Sequence, residues 1–487
     1  MRSRLRFNRR LALPLAAAAA LAACSSTEPL VQPDPTLPAA WAQPLAGEGR
    51  IDAARVQWSD YFTDPRLKAL IGLALANNRD LRIAAAKVEQ SRAEVRGARA
   101  EQLPAINGQM SASRTRTPST LDSGASSQRL DLQALGSYEI DFWGRVAALN
   151  DSARASFLAT DDARREVQLT LISEVASAYF AVIEKEELIE LARATVESRE
   201  QSLEIAARAV NVGGADADEL AQLQAVLESA RGALAQIEHQ RTVSANQLDF
   251  LVGRVPTDLP PGRRLAEQQP GVVLMPGLPS EVLLRRPDVM AAEQRLAAAS
   301  ADIRAARAAY LPKVMLTAAL GLASPALAGL FSGGTWSYQP LLSLPIFDGG
   351  RTAASVDSAQ ARRTLLIADY EKTVQRAFRE VADQLSSRRA LKLQLDAALA
   401  GQRAEATRLV IARGRYQAGV SSLRDVLDAQ RALLATRQTA ISLRRAEQDA
   451  AASLYKALGG GADVDAVPVA LASFTPPATL PIPKERP

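Results

Sequence analysis

The chain has 487 residues, 47% of them hydrophobic but only 5% aromatic, so Ala, Leu and Val carry most of the apolar content. With 23% charged residues, that balance favours long packed helices over a compact aromatic-rich core. The formal charge of +5 is accounted for by Arg2, Arg4, Arg6, Arg9 and Arg10 in the acid-free residues 1–23, which removes the main argument for nucleic-acid binding.

Residues 1–23 have a basic start and an apolar run from Leu11 to Ala20, the pattern of a cleaved targeting segment. Beyond it, no apolar run is expected to reach the length of a membrane-spanning helix. Cys24 is the one cysteine, so no internal disulfide can form. Its position after Leu21-Ala22-Ala23 resembles a bacterial lipobox, in which the thiol is acylated and becomes the first mature residue. The alternative is a cysteine that merely follows a signal peptide. Ser25 and Ser26 are not the Asp that such signals use for inner-membrane retention, so Cys24 is read as a lipid anchor in the outer membrane. Residues 24–57 form the lipidated tether, with the Pro-, Ala- and polar-rich stretch 25–50 lacking any sustained period.

Ordered structure is expected from Trp58, with Asp64-Pro65 starting a helix that runs to Ala100 and ends at Leu103-Pro104. That ending recurs: 301–312 (ADIRAARAAYLP) echoes 93–104 (AEVRGARAEQLP). A second pair of matching stretches, 137–155 and 343–361, shares ten of nineteen residues at a fixed offset of 206, among them Gly144/Gly350, Arg145/Arg351 and Asp151/Asp357. In both copies an alternating segment passes through a glycine turn into an Ala-rich helix. The chain is therefore two copies of one unit, repeat 1 at 58–278 and repeat 2 at 279–460, each a helix, two strands and a long helical hairpin, followed by a Pro-rich tail at 461–487.

Leu130, Leu132, Ala134, Gly136, Tyr138, Ile140 and Phe142 alternate with Asp131, Gln133, Ser137, Glu139 and Asp141. Val314 to Leu322 does the same, as does Trp336 to Ile346 through Tyr338, Pro340, Leu342 and Leu344. Period-two alternation with aromatics toward the ends suits a barrel strand with one face in lipid and one in water; a soluble two-layer sheet fits it as well. A weaker strand covers 106–117, and the Ser/Thr/Gly-rich 111–128 reads as an exposed loop.

No proline occurs from Gly144 to Val255 or from Ile346 to Val467. A helix from 145 to 211 would be roughly 100 Å long, and Val167, Leu171, Val175, Ala178, Val182 and Ile189 step along it as a packed seam requires. Gly213-Gly214 breaks it before a return helix from Asp218 to Leu251. Gly419 breaks the second copy before a return helix from Leu423 to Leu458. Between the copies, 253–282 is rich in Pro and Gly.

Chemistry is not indicated. His239 stands alone in mid-helix, there is no Cys/His metal cluster, Gly459-Gly460-Gly461 is followed by no Lys-Ser/Thr, and GxSxG does not occur. No enzyme, metal site or cofactor is expected beyond the lipid on Cys24.

From WSDYFTDPRL (58–67) to LYKALGG, through GLPSEVLLRRPDVMAAE, ARAAYLP, LPIFDGGR and RYQAGVSSLRDVLDAQRALL in this order, the sequence resembles the outer-membrane factor (TolC-like) family, in its lipoprotein (NodT/OprM-like) branch. The resemblance implies a mainly α protein with β structure. Three chains of four strands each would close a twelve-stranded transmembrane β-barrel, continued by a long periplasmic α-helical barrel. It also implies a passive channel that serves an inner-membrane pump, of RND type, through a periplasmic adaptor (membrane fusion protein). The hairpin tips, Val212-Gly213-Gly214 and Gly419-Val420-Ser421, would constrict the tube and dock the adaptor. Relatives carry a tip aspartate where Ser421 stands; Asp216, Asp218 and Asp425 are near enough to supply the charge, and helix capping is the other reading of Asp218 and Asp425. A type I protein-secretion channel, a periplasmic adaptor and a coiled-coil lipoprotein are the alternatives. The lipobox and LLRRPD favour efflux.

Overall fold

The computed structural model describes residue 38 and residues 53–116, 126–211, 217–274 and 283–461. A short helix α1 (Trp58–Tyr61), then α2 (Pro65–Asn77) and α3 (Arg79–Ala100), lead to strands β1 (Ala105–Arg116) and β2 (Ser126–Ile140), and these to α4 (Arg145–Asn211) and α5 (Ala217–Val252). The order helix, strand, strand, helix, helix returns as α6 (Pro287–Ala308), β3 (Lys313–Ser324), β4 (Gly334–Ser343), α7 (Arg351–Gln417) and α8 (Leu423–Ala457). Two compact units cut across this repetition. The described residues of one lie within Lys87–Asp161 and Ala291–Thr373; those of the other lie within Leu37–Ala86, Asp162–Met290 and Val374–Pro487.

In the first unit the four strands form one antiparallel sheet in the order β1-β2-β3-β4. Residues directly opposite each other in an antiparallel pair share a face. The row Met110, Leu132, Leu322 and the row Ala134, Leu320, Trp336 therefore lie on the same side, as do Ile140, Val314 and Leu342. Gln109, Gln133, Gly321 and Thr335 lie on the other. One register gathers the alternate apolar residues of every strand on a single face, yet Leu320 is 69% and Trp336 80% exposed. The strands have 12, 15, 12 and 10 residues, enough to cross a hydrocarbon core when tilted. Three details differ from the expectation. Phe142 lies past the end of β2, and Leu344 and Ile346 past the end of β4. The supposed loop 111–128 is strand at 111–116 and 126–128, because backbone pairing such as Ser113↔Arg129 continues through its small polar residues; the rest of it lies outside the described residues.

The strand-to-helix junctions match across the repeats. Gly144 (φ 71°) and Gly350 (φ 87°) both take the left-handed conformation that glycine adopts without penalty. The Asp141 carboxylate accepts the Ala147 N–H (2.8 Å), and Asp348 accepts the N–H groups of Gly350 and Thr352 (3.0 and 2.9 Å), so an acid covers the first free donors of each long helix.

The second unit is held by α4. Val175, Ala176, Tyr179 and Phe180 of α4 are each at most 2% exposed. Contrary to the expectation, α4 contains a stretch long and apolar enough to cross a membrane. More than half of that stretch is buried within the chain, as in a core helix. Asp64 is wholly buried and caps α2 as its sequence position predicts. It accepts from Arg66 N–H (2.8 Å), the Tyr179 hydroxyl (2.8 Å), Arg263 N–H (3.0 Å) and the Gln268 amide (2.5 Å). Burial alone would raise this carboxyl; the donors, led by Arg263 N–H, outweigh it and hold the pKa below the usual value. The continuous helix expected from Pro65 to Ala100 is broken at Asn78. Its Oδ1 accepts the Leu81 N–H (3.0 Å) and its amide donates to the Leu251 carbonyl (2.9 Å), so the side chain replaces a turn of helix with a cap.

Arg286, the second arginine of LLRRPD, is buried. Its guanidinium forks onto Asp288 (3.0 and 2.8 Å), reaches Glu380 (2.8 Å) and donates to the Ala457 carbonyl (2.7 Å), joining the start of α6, the body of α7 and the end of α8. Beyond α8, the Gly460 N–H returns to the Tyr455 carbonyl (2.9 Å). A Cβ on Gly460 would stand 2.3 Å from the Tyr455 ring, which only glycine permits. Tyr455 stacks on Tyr61 with centroids 4.7 Å apart.

Between α4 and α8, Glu184 accepts from Ser442 (2.9 Å) and Arg445 (3.1 Å), and Arg445 also pairs with Asp449 (3.2 Å). Burial outweighs that attraction and pushes Asp449 up to about 6. A carboxyl raised in the folded state binds its proton more tightly there than in the unfolded chain, so stability rises as pH falls from 7 toward 4. Asp449→Asn is expected to raise the thermal midpoint by a few degrees at pH 7.5, with the gain vanishing near pH 4, in melts followed by circular dichroism.

Candidate functional site

Cys24, Val212, Gly213, Gly214 and Asp216 lie outside the described residues. The remaining sequence-predicted tip residues sit where the long helices turn. Gly419, at φ 70°, ends α7. Its N–H donates to the Tyr416 carbonyl (3.0 Å) and the Val420 N–H to the Arg415 carbonyl (2.9 Å), the paired bonds of a Schellman cap. An alanine at this φ costs about 1–2 kcal/mol. Gly419→Ala is therefore expected to speed amide exchange at Val420 by tenfold or more while leaving α8 helical.

Val420 is 67% exposed at the turn. Ser422 is the N-cap of α8, and Asp425, three residues on, accepts from the Ser422 N–H and hydroxyl (both 3.2 Å), so Asp425 completes a capping box. Asp218 lies in the first turn of α5 beside Glu219, where negative charge complements the helix dipole.

The structure brings the two hairpins together through residues that sequence reasoning did not single out. Ala206 on α4, Leu223 on α5 and Leu427 on α8 form a small buried cluster, with Leu203, Leu220, Val226 and Leu423 packed around it. The Tyr416 hydroxyl at the end of α7 donates to the Glu219 carboxylate at the start of α5. That bond and the Glu219 charge push Tyr416 up to about 12. Farther along the hairpin, Arg231 bridges Glu200 (2.8 Å) and Glu228 (2.9 Å), and Arg193 pairs with Glu238 (2.8 Å), tying α4 to α5. The leucine spacing on the return helices carried a signal for the cluster. Nothing local in the sequence marked the Tyr416–Glu219 bond, whose partners are 197 residues apart.

Among the described residues, no group of His, Cys, Asp and Glu side chains is arranged to hold a metal ion. The functional geometry is thus a sheet with an exposed apolar face and, in the other unit, two helical hairpins clasped at their turns. A sheet of that kind is the wall of a membrane β-barrel, where apolar side chains meet lipid.

The comparisons agree. The family model described as outer membrane efflux protein matches residues 70–254 and 278–460. The chain is 39% identical over 461 residues to the solvent efflux pump outer membrane protein SrpC of Pseudomonas putida, covering 92% of this chain and 98% of the relative. It is 36% identical over 456 residues to the cation efflux system protein CusC of Escherichia coli, again covering 92% and 98%. Among solved structures, the open state of the MtrE outer membrane channel of Neisseria gonorrhoeae superposes with a TM-score of 0.81 at 36% identity, covering 88% of this chain and 97% of that one. A membrane protein from Pseudomonas aeruginosa gives 0.82 at 33% identity, covering 88% and 98%. The chain belongs to the outer membrane efflux protein family. It is an outer-membrane efflux channel protein, with the mainly helical fold and small antiparallel sheet of its structural neighbours.

Proposed function

We propose that three copies of this chain form one conduit that passes solutes across the outer membrane without a chemical step of its own. The observation that carries this is the sheet: among the described residues β1 and β4 are its open edges, and the face between them is apolar and exposed. In lipid an open edge leaves backbone groups without partners, so the sheet has to close on other copies. Four strands are too few for a transmembrane barrel and twelve are within the known range.

The work of expulsion then belongs to an inner-membrane pump of RND type, reached through a periplasmic adaptor. Relatives named for solvent efflux and for cation efflux are 39% and 36% identical to this chain over 92% of it, which supports a conduit that leaves solute choice to the pump. Adaptor docking and gating are assigned to the tips, Val212-Gly213-Gly214 with Asp216 and Asp218, and Gly419-Val420-Ser421 with Asp425. An adaptor opens them only by binding the open arrangement more tightly. The Tyr416–Glu219 bond and the Leu223–Leu427 contact are what opening would have to break or carry along.

Cys24 anchors the mature chain by its lipid. Labelled fatty acid is expected in the wild type and absent from Cys24→Ser; label in the mutant would refute the anchor. Electron microscopy of the mature protein in mild detergent tests the whole reading. A threefold tube is expected; monomers or solid rods would overturn it.

A further inference from the structure

The twofold repetition holds in the register of the sheet as well as in the sequence. Strand β3 follows β1 at an offset of 208, as 301–312 follows 93–104, and β4 follows β2 at 206. Moved by these offsets, the pair Ala105↔Ser137 becomes Lys313↔Ser343, and Met110↔Leu132 becomes Ala318↔Tyr338; both pairs are present. The hairpins β1–β2 and β3–β4 are thus one hairpin twice, and the pairing of β2 with β3 is the junction between them. That junction has no counterpart in the single chain, where β4 and β1 are the open edges among the described residues.

One stretch shows the lack. Strand β2 runs three residues past Ser137, the partner of the first residue of β1, and Tyr138, Glu139 and Ile140 pair with β3 alone. Their counterparts Leu344, Pro345 and Ile346 stand just past Ser343, the partner of the first residue of β3, and are not strand. Leu344 is 51% and Ile346 93% exposed.

Backbone direction agrees. The Ala323 N–H donates to the opposite Gly333 carbonyl (3.2 Å), so odd residues of β3 and β4 bond one another and the even residues of β4 turn their backbone groups outward. Carried across β3 and β2, the same alternation turns the even residues of β1 outward. These even residues lie on the apolar face, so pairing β4 with β1 keeps that face continuous. Pro345, an odd residue, turns its missing donor away from the edge. Pro340, an even one, leaves one bond out, which an edge strand tolerates.

We propose that β1 of a second copy pairs with β4 in the register that β3 takes on β2, and that this pairing carries β4 on through Ile346. Moved by the offsets, Gly136↔Ala318 and Ile140↔Val314 place Leu342 opposite Met110, and Ile346 opposite Ile106, of the second copy. The inference rests on the three-copy reading above and adds the residues that meet. Leu344–Ile346 then become strand only on assembly, where the chain approaches α7.

The test is disulfide formation in outer membranes carrying the full-length protein, read on non-reducing gels. Opposed residues of a hydrogen-bonded pair have Cα atoms about 5.5 Å apart, within reach of a disulfide. A slip of two residues shifts the partner about 7 Å along the strand and out of reach. Met110→Cys with Leu342→Cys should link copies into covalent dimers and trimers, as should Ile106→Cys with Ile346→Cys. Gly108→Cys or Ala112→Cys with Leu342→Cys should not, although Gly108 has open space for a side chain. The parent, with Cys24 alone, and each single replacement supply the background. Links from Gly108→Cys or Ala112→Cys in place of Met110→Cys overturn the register and leave the three-copy barrel standing. A link between positions 110 and 342 without one between 106 and 346 overturns the extension of β4. Oligomers that survive mild detergent yet link at no pair overturn the seam altogether. Monomers with every pair, and in the parent, overturn the barrel reading as well.

Discussion

Leu320→Arg is expected to abolish assembly in the outer membrane, whereas Ala319→Arg, one residue away, should leave it intact. Leu320 is exposed in the single chain, and exposed replacements in water ordinarily change stability by no more than about 0.5 kcal/mol. Its row, Ala134, Leu320 and Trp336, faces lipid in the barrel, where a guanidinium costs about 2–4 kcal/mol per chain near the bilayer centre. Three copies would pay that together. Ala319 shares its face with Leu135 and Ser337, on the watery side, so an arginine there stays hydrated. The measurement is the amount of oligomer that survives mild detergent from the outer-membrane fraction. Equal recovery of both variants would mean that the apolar face does not meet lipid.

Arg286→Met should be the most damaging single change in the helical unit. It removes five N–H donors and leaves Asp288, Glu380 and the Ala457 carbonyl facing one another without their cation. Breaking a buried ion pair from one side costs about 3–5 kcal/mol, because the remaining charge stays desolvated. Arg286→Lys should recover only part of this, since an ammonium cannot fork onto Asp288 while also reaching Glu380 and Ala457. The checks are the urea midpoint of the purified protein and hydrogen exchange at the end of α8 and the start of α6. A midpoint within experimental error of wild type for Arg286→Met would show that Asp288 and Glu380 find other partners.

How much of this was legible in the sequence follows from the range of each interaction. The ends of α4, at Arg145 and Asn211, coincide with its expected span, because proline-free length and terminal glycines are local properties of a helix. Asp64-Pro65 told of its cap for the same reason, and Gly144 and Gly350 told of the junction, since a left-handed φ is a demand on one residue. Where the local signal competed with a side chain's own hydrogen bonding, as at Asn78, the expected helix broke. Where small polar residues hid a strand, at 111–116, only the pairing with β2 could reveal it. The apolar stretch of α4 needed the fold as well, because only burial separates a core helix from a membrane helix.

By itself, then, the sequence determined the periodic elements, the twofold repetition and the alternation that makes each strand two-faced. All of these depend on residues a few positions apart. The tertiary structure alone decided that the apolar faces of four strands fall on one side and that Tyr416 meets Glu219. It also decided that Arg286 closes on Glu380 and Ala457. Register and long-range side-chain contact are set by packing among segments far apart in the chain, which no local pattern encodes.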